Sequence, residues 1–273
     1  MTPMAEPDFP QRLYRAQSLF SQRVPSHTVV YRFVDNLTEL LFPIRSDRAF
    51  SLSDLQARWE ALHREFEAII CPLCDGERCD CGHLTEQFFA ALPAIHASLM
   101  EDAEMYRECD PASGCLAEVV LCYPGFYAVM VHRIAHEIYG LGIPILPRVI
   151  AEYAHSLTGI DIHPGARIGA HFYIDHGTGV VIGQTSVIGQ HVKIYQGVTL
   201  GASYVDKELR GVRRHPTIED NVIIYAGSTI LGGNTVVGHD TVVGGNVWLT
   251  ESVPPHSRVY HRPEISIKQK KEK

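Results

Sequence analysis

The chain lacks the positive charge that a nucleic-acid or anionic-surface binder needs. Its 273 residues carry 24 Lys and Arg against 31 Asp and Glu, a formal net charge of -7 at pH 7, whereas phosphate binding calls for a basic face. No nucleic-acid partner is expected. The basic stretch "IKQKKEK" at the end is short and reads as a solvated tail over 261–273. Long apolar runs are also missing: none reaches the roughly 18 residues of a membrane span, so no membrane partner is expected. The opening "MTPMAEPDFPQRLYRAQ" has no charged-then-apolar leader layout, and the expected compartment is the cytoplasm. Cysteine is scarce at seven residues, which in that compartment reads as thiols or ligands rather than a disulfide framework. A chain this long buries a sizeable core without staples.

What the sequence does contain is two different periodicities. An α-helical N-terminal domain is expected over 1–158, and from about residue 50 to 157 the apolar spacing is helical. "SLSDLQARWEALHREFEAII" sets Leu55, Trp59, Leu62, Phe66 and Ile69 at steps of three and four behind a Ser51/Asp54 capping box. A second helix carries Phe88, Leu92, Ile95 and Leu99, with Pro93 expected to kink or bound it. Two more follow Pro124 and Pro144. The first fifty residues read as a mixture of helix and extended chain. After Gly159 the beat becomes six: positions 162, 168, 174, 182, 188, 194, 200, 218, 224, 230, 236, 242 and 248 are Ile, Ile, Ile, Ile, Ile, Ile, Leu, Ile, Ile, Ile, Val, Val and Trp. That self-similarity predicts a parallel β-helix of hexapeptide repeats over 159–260, its aliphatic residues pointing inward. The beat breaks at "DHGTG" (175–179) and at the loop 201–217, and such insertions are where function tends to sit.

The motifs "DIHPGARIG", "DHGTGVVIGQT", "QGVTLGA", "RRHP", "AGSTILGG" and "VPPH", with the flanks "DPAS" and "GFYAVMVHRIAH", resemble serine O-acetyltransferase, the coenzyme A-dependent hexapeptide enzyme that starts cysteine biosynthesis. The resemblance implies an α+β organisation: an α-helical N-terminal domain that shares in oligomerisation and the serine site, then a left-handed β-helix. It implies acetyl-CoA as co-substrate and L-serine as acceptor. His176 matches the family's general base and Asp161 the carboxylate that supports its imidazolium, a dyad in which the substrate supplies the hydroxyl. Asp110 and Asp175 match the acidic residues that bind serine, and Arg214 with His215 the pair that reaches its carboxylate. Gly201, Ala202, Ala226, Gly227 and Gly244 match the small residues lining a coenzyme A groove between neighbouring β-helices. The active unit implied is a homotrimer or a dimer of trimers.

Three features depart from the family. Gln184 replaces the usual Glu after "VIG". The chain ends in Lys273 rather than the Ile by which family members dock into O-acetylserine sulfhydrylase, so docking by that route is not expected. Between two predicted helices, Cys71, Cys74, Cys79 and Cys81 form a CxxC followed by CxC, which suits a structural zinc site, reduced thiols or a redox-sensitive disulfide. Rival functions on the same scaffold are acetyl transfer to another acceptor, a γ-type carbonic anhydrase using His171 and His176, and a non-catalytic assembly module.

Overall fold

The structure is a computed structural model that describes residues 8–17, 24–74, 80–203 and 212–262. Its helical part comprises α1 (Phe9–Ala16), α2 (His27–Leu41), α3 (Leu52–Ile70), α4 (Cys81–Cys109), α5 (Leu116–Cys122), α6 (Pro124–Gly140) and α7 (Leu146–Thr158). The capping box at α3 forms as its sequence predicts: the Asp54 amide donates to Ser51 Oγ, and the Ser51 amide donates to the Asp54 carboxylate at 2.9 Å. Leu62, Phe66 and Ile69 are buried on its inner face, while Trp59 stays 38% exposed. Pro93 does not bound a helix; α4 runs through it for 29 residues, its buried face holding Phe88, Leu92 and Leu99 in the core. The short α5, seven residues and apolar except for Glu118, is too brief and too uniform for its period to be read from sequence. No helix among the described residues is long and apolar enough to cross a membrane.

The cysteine segment lies between α3 and α4. Cys71 and Cys81 are free, and the Cys71 thiol is pushed up to about 11, by burial first and then by the neighbouring Cys81. Cys74 is disulfide-bonded, and Cys79 lies outside the described residues. A sulfur committed to a disulfide offers no thiolate, so the four-thiolate zinc site is corrected: the structure does not support it.

Gly159, at a φ of 70°, ends α7 in the left-handed conformation that glycine takes freely. The chain then winds into three parallel sheets. Sheet A aligns Asp161–Ile162, Val181–Ile182, Thr199–Gly201, Thr229–Leu231 and Trp248–Leu249; sheet B aligns Arg167–Ile168, Val187–Ile188, Thr217–Ile218 and Val236–Val237; sheet C aligns Tyr173–Ile174, Lys193–Ile194, Ile223–Ile224, Val242–Val243 and Arg258–Val259. Each coil thus has an A–B, a B–C and a C–A corner. The expected inward positions hold through Ile230, with Ile162, Ile174, Ile182, Ile194, Leu200, Ile218 and Ile224 buried. Beyond it they shift by one. Val237 and Val243, not Val236 and Val242, are fully buried, and Trp248 is 67% exposed while Leu249 packs on the core. An extra residue in the turn at Gly232, whose φ is 102°, causes the shift, because a one-residue slip sends each strand side chain to the opposite face.

The helices are fastened to the first coil by polar contacts in a dry setting. Asp102 of α4, fully buried, receives Arg133 of α6 through two nitrogens at 2.7 and 2.9 Å and the Phe172 amide at 2.9 Å. Arg133 also donates to the carbonyls of Ile168 and Gly169, and Tyr106 accepts the Ile174 amide at 3.0 Å. A Cβ at Gly125 of α6 would lie 2.2 Å from the Ile174 carbonyl oxygen, so only glycine allows this approach. Ala128 and Val129 of α6 belong to the same apolar cluster as the β-helix interior.

Candidate active site

The strand held by Tyr106 and Gly125 leads directly into Asp175 and His176. The C–A corner here has eight residues from Ile174 to Ile182 instead of six, and the additional chain carries His176 outward at a φ of 54°. Its side chain is 72% exposed, with Nε2 lying 3.7 Å from Asp175 Oδ1. Asp110, just past the end of α4, is near enough to His176 to feel its charge. Tyr123 donates to Asp110 Oδ2 at 2.5 Å and the Ala112 amide to Oδ1 at 2.8 Å. These bonds, led by that of Tyr123, hold the Asp110 carboxyl below its ordinary range. The same bond pushes the Tyr123 hydroxyl up to about 12. Tyr195 and Tyr225 stack with centroids 5.0 Å apart on the next coils of this corner. The corner therefore presents an imidazole, two carboxylates and an aromatic wall.

The Asp161 carboxylate lies within 4.8 Å of ligand atoms of Glu152 and His155 on α7, and among the described residues the ion-pair partner of His176 is Asp175.

Arg214 and His215 occupy the A–B corner instead. Thr185 organises them: its Oγ accepts the amides of Arg214 and His215 at 2.9 and 3.1 Å, and its own amide donates to His215 Nδ1. With Nδ1 accepting, the neutral ring carries its proton on Nε2. Burial, then the charge of Arg214, lowers His215 to about 4, so at neutral pH it offers a donor and Arg214 the charge. A Cβ at Gly183 would fall 2.0 Å from the His215 ring, which reserves that position for glycine. Arg214 also donates to Gln184 Oε1 at 2.7 Å, and Gln184 Nε2 donates to the Tyr139 hydroxyl at 3.0 Å. Gln184 thus holds the arginine as a neutral acceptor. Beside it a cavity of about 510 Å³ is lined by Tyr139, Ile145, Arg148, His163 and Gln184. His163 accepts the Gly165 amide at 2.9 Å, closing the turn expected of it.

The small residues divide in the same way. Gly201 and Ala202 flank the A–B corner, whereas Ala226, Gly227 and Gly244 line the C–A corner. His171 lies on the B–C corner, stacked on His191 at 4.3 Å. His171 and His176 therefore stand on different corners of the same coil. Sequence reasoning missed Tyr123, Thr185 and the Asp102–Arg133 pair: Thr185 and Arg133 stand inside quoted motifs without a role read from them, Tyr123 and Asp102 stand outside any motif, and only the fold shows their partners.

No family model matches the chain. A plasmid-encoded serine acetyltransferase of Synechococcus elongatus is 54% identical over 176 residues, 63% of this chain and 55% of that protein. The chain thus spans little more than half the length of that relative. The serine acetyltransferase of Staphylococcus epidermidis is 44% identical over 171 residues, covering 63% of this chain and 78% of the relative. The crystal structure of Entamoeba histolytica serine acetyltransferase 1 in complex with L-cysteine superposes with a TM-score of 0.77 at 36% identity, over 84% of this chain and 86% of that one. Helices leading into a left-handed hexapeptide β-helix with a histidine on a lengthened corner define the architecture. By these identities the chain belongs to the serine acetyltransferase family.

Proposed function

We propose that this chain transfers the acetyl group of acetyl-CoA to the hydroxyl of L-serine in the cytoplasm, giving O-acetyl-L-serine and coenzyme A. The observation that carries this reading is the lengthened C–A corner, which sets the exposed His176 beside Asp175 and Asp110. Asp110 and Asp175 bind the serine ammonium. Neutral His176 takes the hydroxyl proton as the oxygen attacks the thioester carbon; the C–S bond breaks, and the proton passes to the departing thiolate. Asp161 is assigned to steady the imidazolium, for which the exposed His176 side chain, making no hydrogen bond among the described residues, is free to turn.

The serine carboxylate is assigned to Arg214 and His215, which stand on another corner of the prism. A complete site then joins the C–A corner of one copy to the A–B corner of the next, which supports a homotrimer; pairing of the helical parts would give a hexamer. The coenzyme A groove, split between the same two corners, is completed by the same union. L-Cysteine is proposed to inhibit from the serine site, a reading supported by the L-cysteine complex of the Entamoeba histolytica relative.

The test is release of free thiol from acetyl-CoA with and without L-serine, corrected for the protein's own cysteines, alongside its mass in solution. Serine-dependent release by a trimer or larger assembly is expected; an assembled protein that releases thiol only with another acceptor would replace serine in this reading. In the same assay Tyr123→Phe, which frees Asp110 of its strongest hydrogen bond, is expected to raise KM for serine roughly 2- to 10-fold with little change in kcat. Asp110 then protonates at higher pH, so the acid limb of kcat/KM moves upward. An unmoved limb would show that Asp110 does not bind serine as the carboxylate.

A further inference from the structure

The B–C corner carries a column of polar residues in left-handed backbone, one per coil: His171, His191, Asn221, Asp240 and His256, with φ between 55° and 59°. Nothing in the proposed reaction uses this edge. Its last two turns bring His239, Asp240 and His256 together, and one ligand atom of each lies within 4.8 Å of the others. His239 Nδ1 is 2.7 Å and His256 Nδ1 3.6 Å from the same carboxylate oxygen, Asp240 Oδ2, and the two imidazoles meet edge to face at 4.8 Å.

The backbone beneath them is set by the coil. The His256 amide donates to the His239 carbonyl, and the Asp240 amide to that of Asp220. The His239 amide is fixed on Glu219 at 2.8 Å. A depression of about 550 Å³ adjoins His239 and is lined by Glu219, Asp220 and Asn221, adding negative potential that favours a cation. Two imidazoles and a carboxylate suit zinc and its borderline neighbours cobalt and nickel rather than magnesium or calcium. Metal–ligand bonds near 2.0–2.2 Å place ligand atoms about 3–3.5 Å apart, and partly exposed side chains reach that spacing by small rotations.

We propose that His239, Asp240 and His256 form a binding site for a borderline divalent cation, zinc foremost, with water completing the shell. The cation would clip the last turn of the β-helix to the one before it. Titration calorimetry of the untagged full chain with zinc is expected to show a site that weakens at least tenfold in Asp240→Asn and in His256→Asn. Asparagine tolerates left-handed backbone, so both variants keep their turns, checked by circular dichroism. Cobalt bound there gives a visible spectrum without the sulfur-to-metal charge-transfer band, which separates it from the Cys71/Cys81 thiols. Zinc raises Tm in the parent and not in the variants, and serine-dependent thiol release stays within twofold throughout. Zinc affinity unchanged in both variants, absence of binding, or a thiolate-type cobalt spectrum with no second site would overturn the assignment.

Discussion

His176→Ala is expected to lower serine-dependent thiol release by about 10²- to 10⁴-fold, the range over which a positioned general base contributes. The loss should fall on kcat, because the two carboxylates assigned to the serine ammonium remain in place. The side chain is 72% exposed and makes no packing contact that a fold depends on, so Tm and assembly mass should match those of the parent. That separation gives the measurement its force: a folded, assembled variant that kept most of its turnover would remove His176 from the reaction. Asp161→Ala provides the companion result. If Asp161 steadies the imidazolium, kcat falls without a change in serine KM; if it serves only the neighbouring Glu152 and His155, kcat is unmoved and stability alone changes.

Asp102→Ala is expected to destabilise the chain by about 3–5 kcal/mol, the cost of leaving one member of a buried ion pair alone. Arg133 is only 11% exposed and Asp102 not at all, so water cannot replace the lost carboxylate. The variant also strands the Phe172 amide that Asp102 receives. Denaturant midpoints with the parent's m-value check the figure; a loss under about 1 kcal/mol would mean that the Ile168 and Gly169 carbonyls the guanidinium already bonds suffice to hold it. Because Phe172 precedes the strand that delivers Asp175 and His176, the folded fraction is also expected to turn over more slowly. Asp102→Ala combined with Arg133→Met, which removes both charges, should recover much of the stability, as replacement of buried pairs by apolar groups often does.

The β-helix was legible because its period is local and repeated: a residue every six must point inward whichever coil it occupies, and Ile162 through Ile230 do so. The reading slipped after Ile230 for the same reason. A fixed count carries no information about a turn that adds one residue, and only the burial of Val237 and Val243 shows that it did. The adjacent glycines in "LGGN" were the available signal. Helices α3, α4, α6 and α7 were readable from amphipathic spacing, caps and prolines, although Pro93 proved compatible with a continuous α4. At the site, His176 stood out because the beat breaks beneath it. Tyr123 and Thr185 gave no such sign, since they act through partners thirteen and about thirty residues away.

By itself the sequence determined the two periodicities, the change between them near Gly159, and the motifs that place the chain beside serine acetyltransferases. These are properties of neighbouring residues and of their repetition along one strand. Only the tertiary structure decided that Asp110 comes within electrostatic reach of His176 while Arg214 and His215 stand on a different corner, that Asp102 and Arg133 fasten helices to the first coil, and that two histidines and an aspartate converge at the last. Those placements depend on how far each turn advances the coil and on which helix plugs its open end. Both are set by long-range packing and hydrogen bonding, so no local pattern in the chain records them.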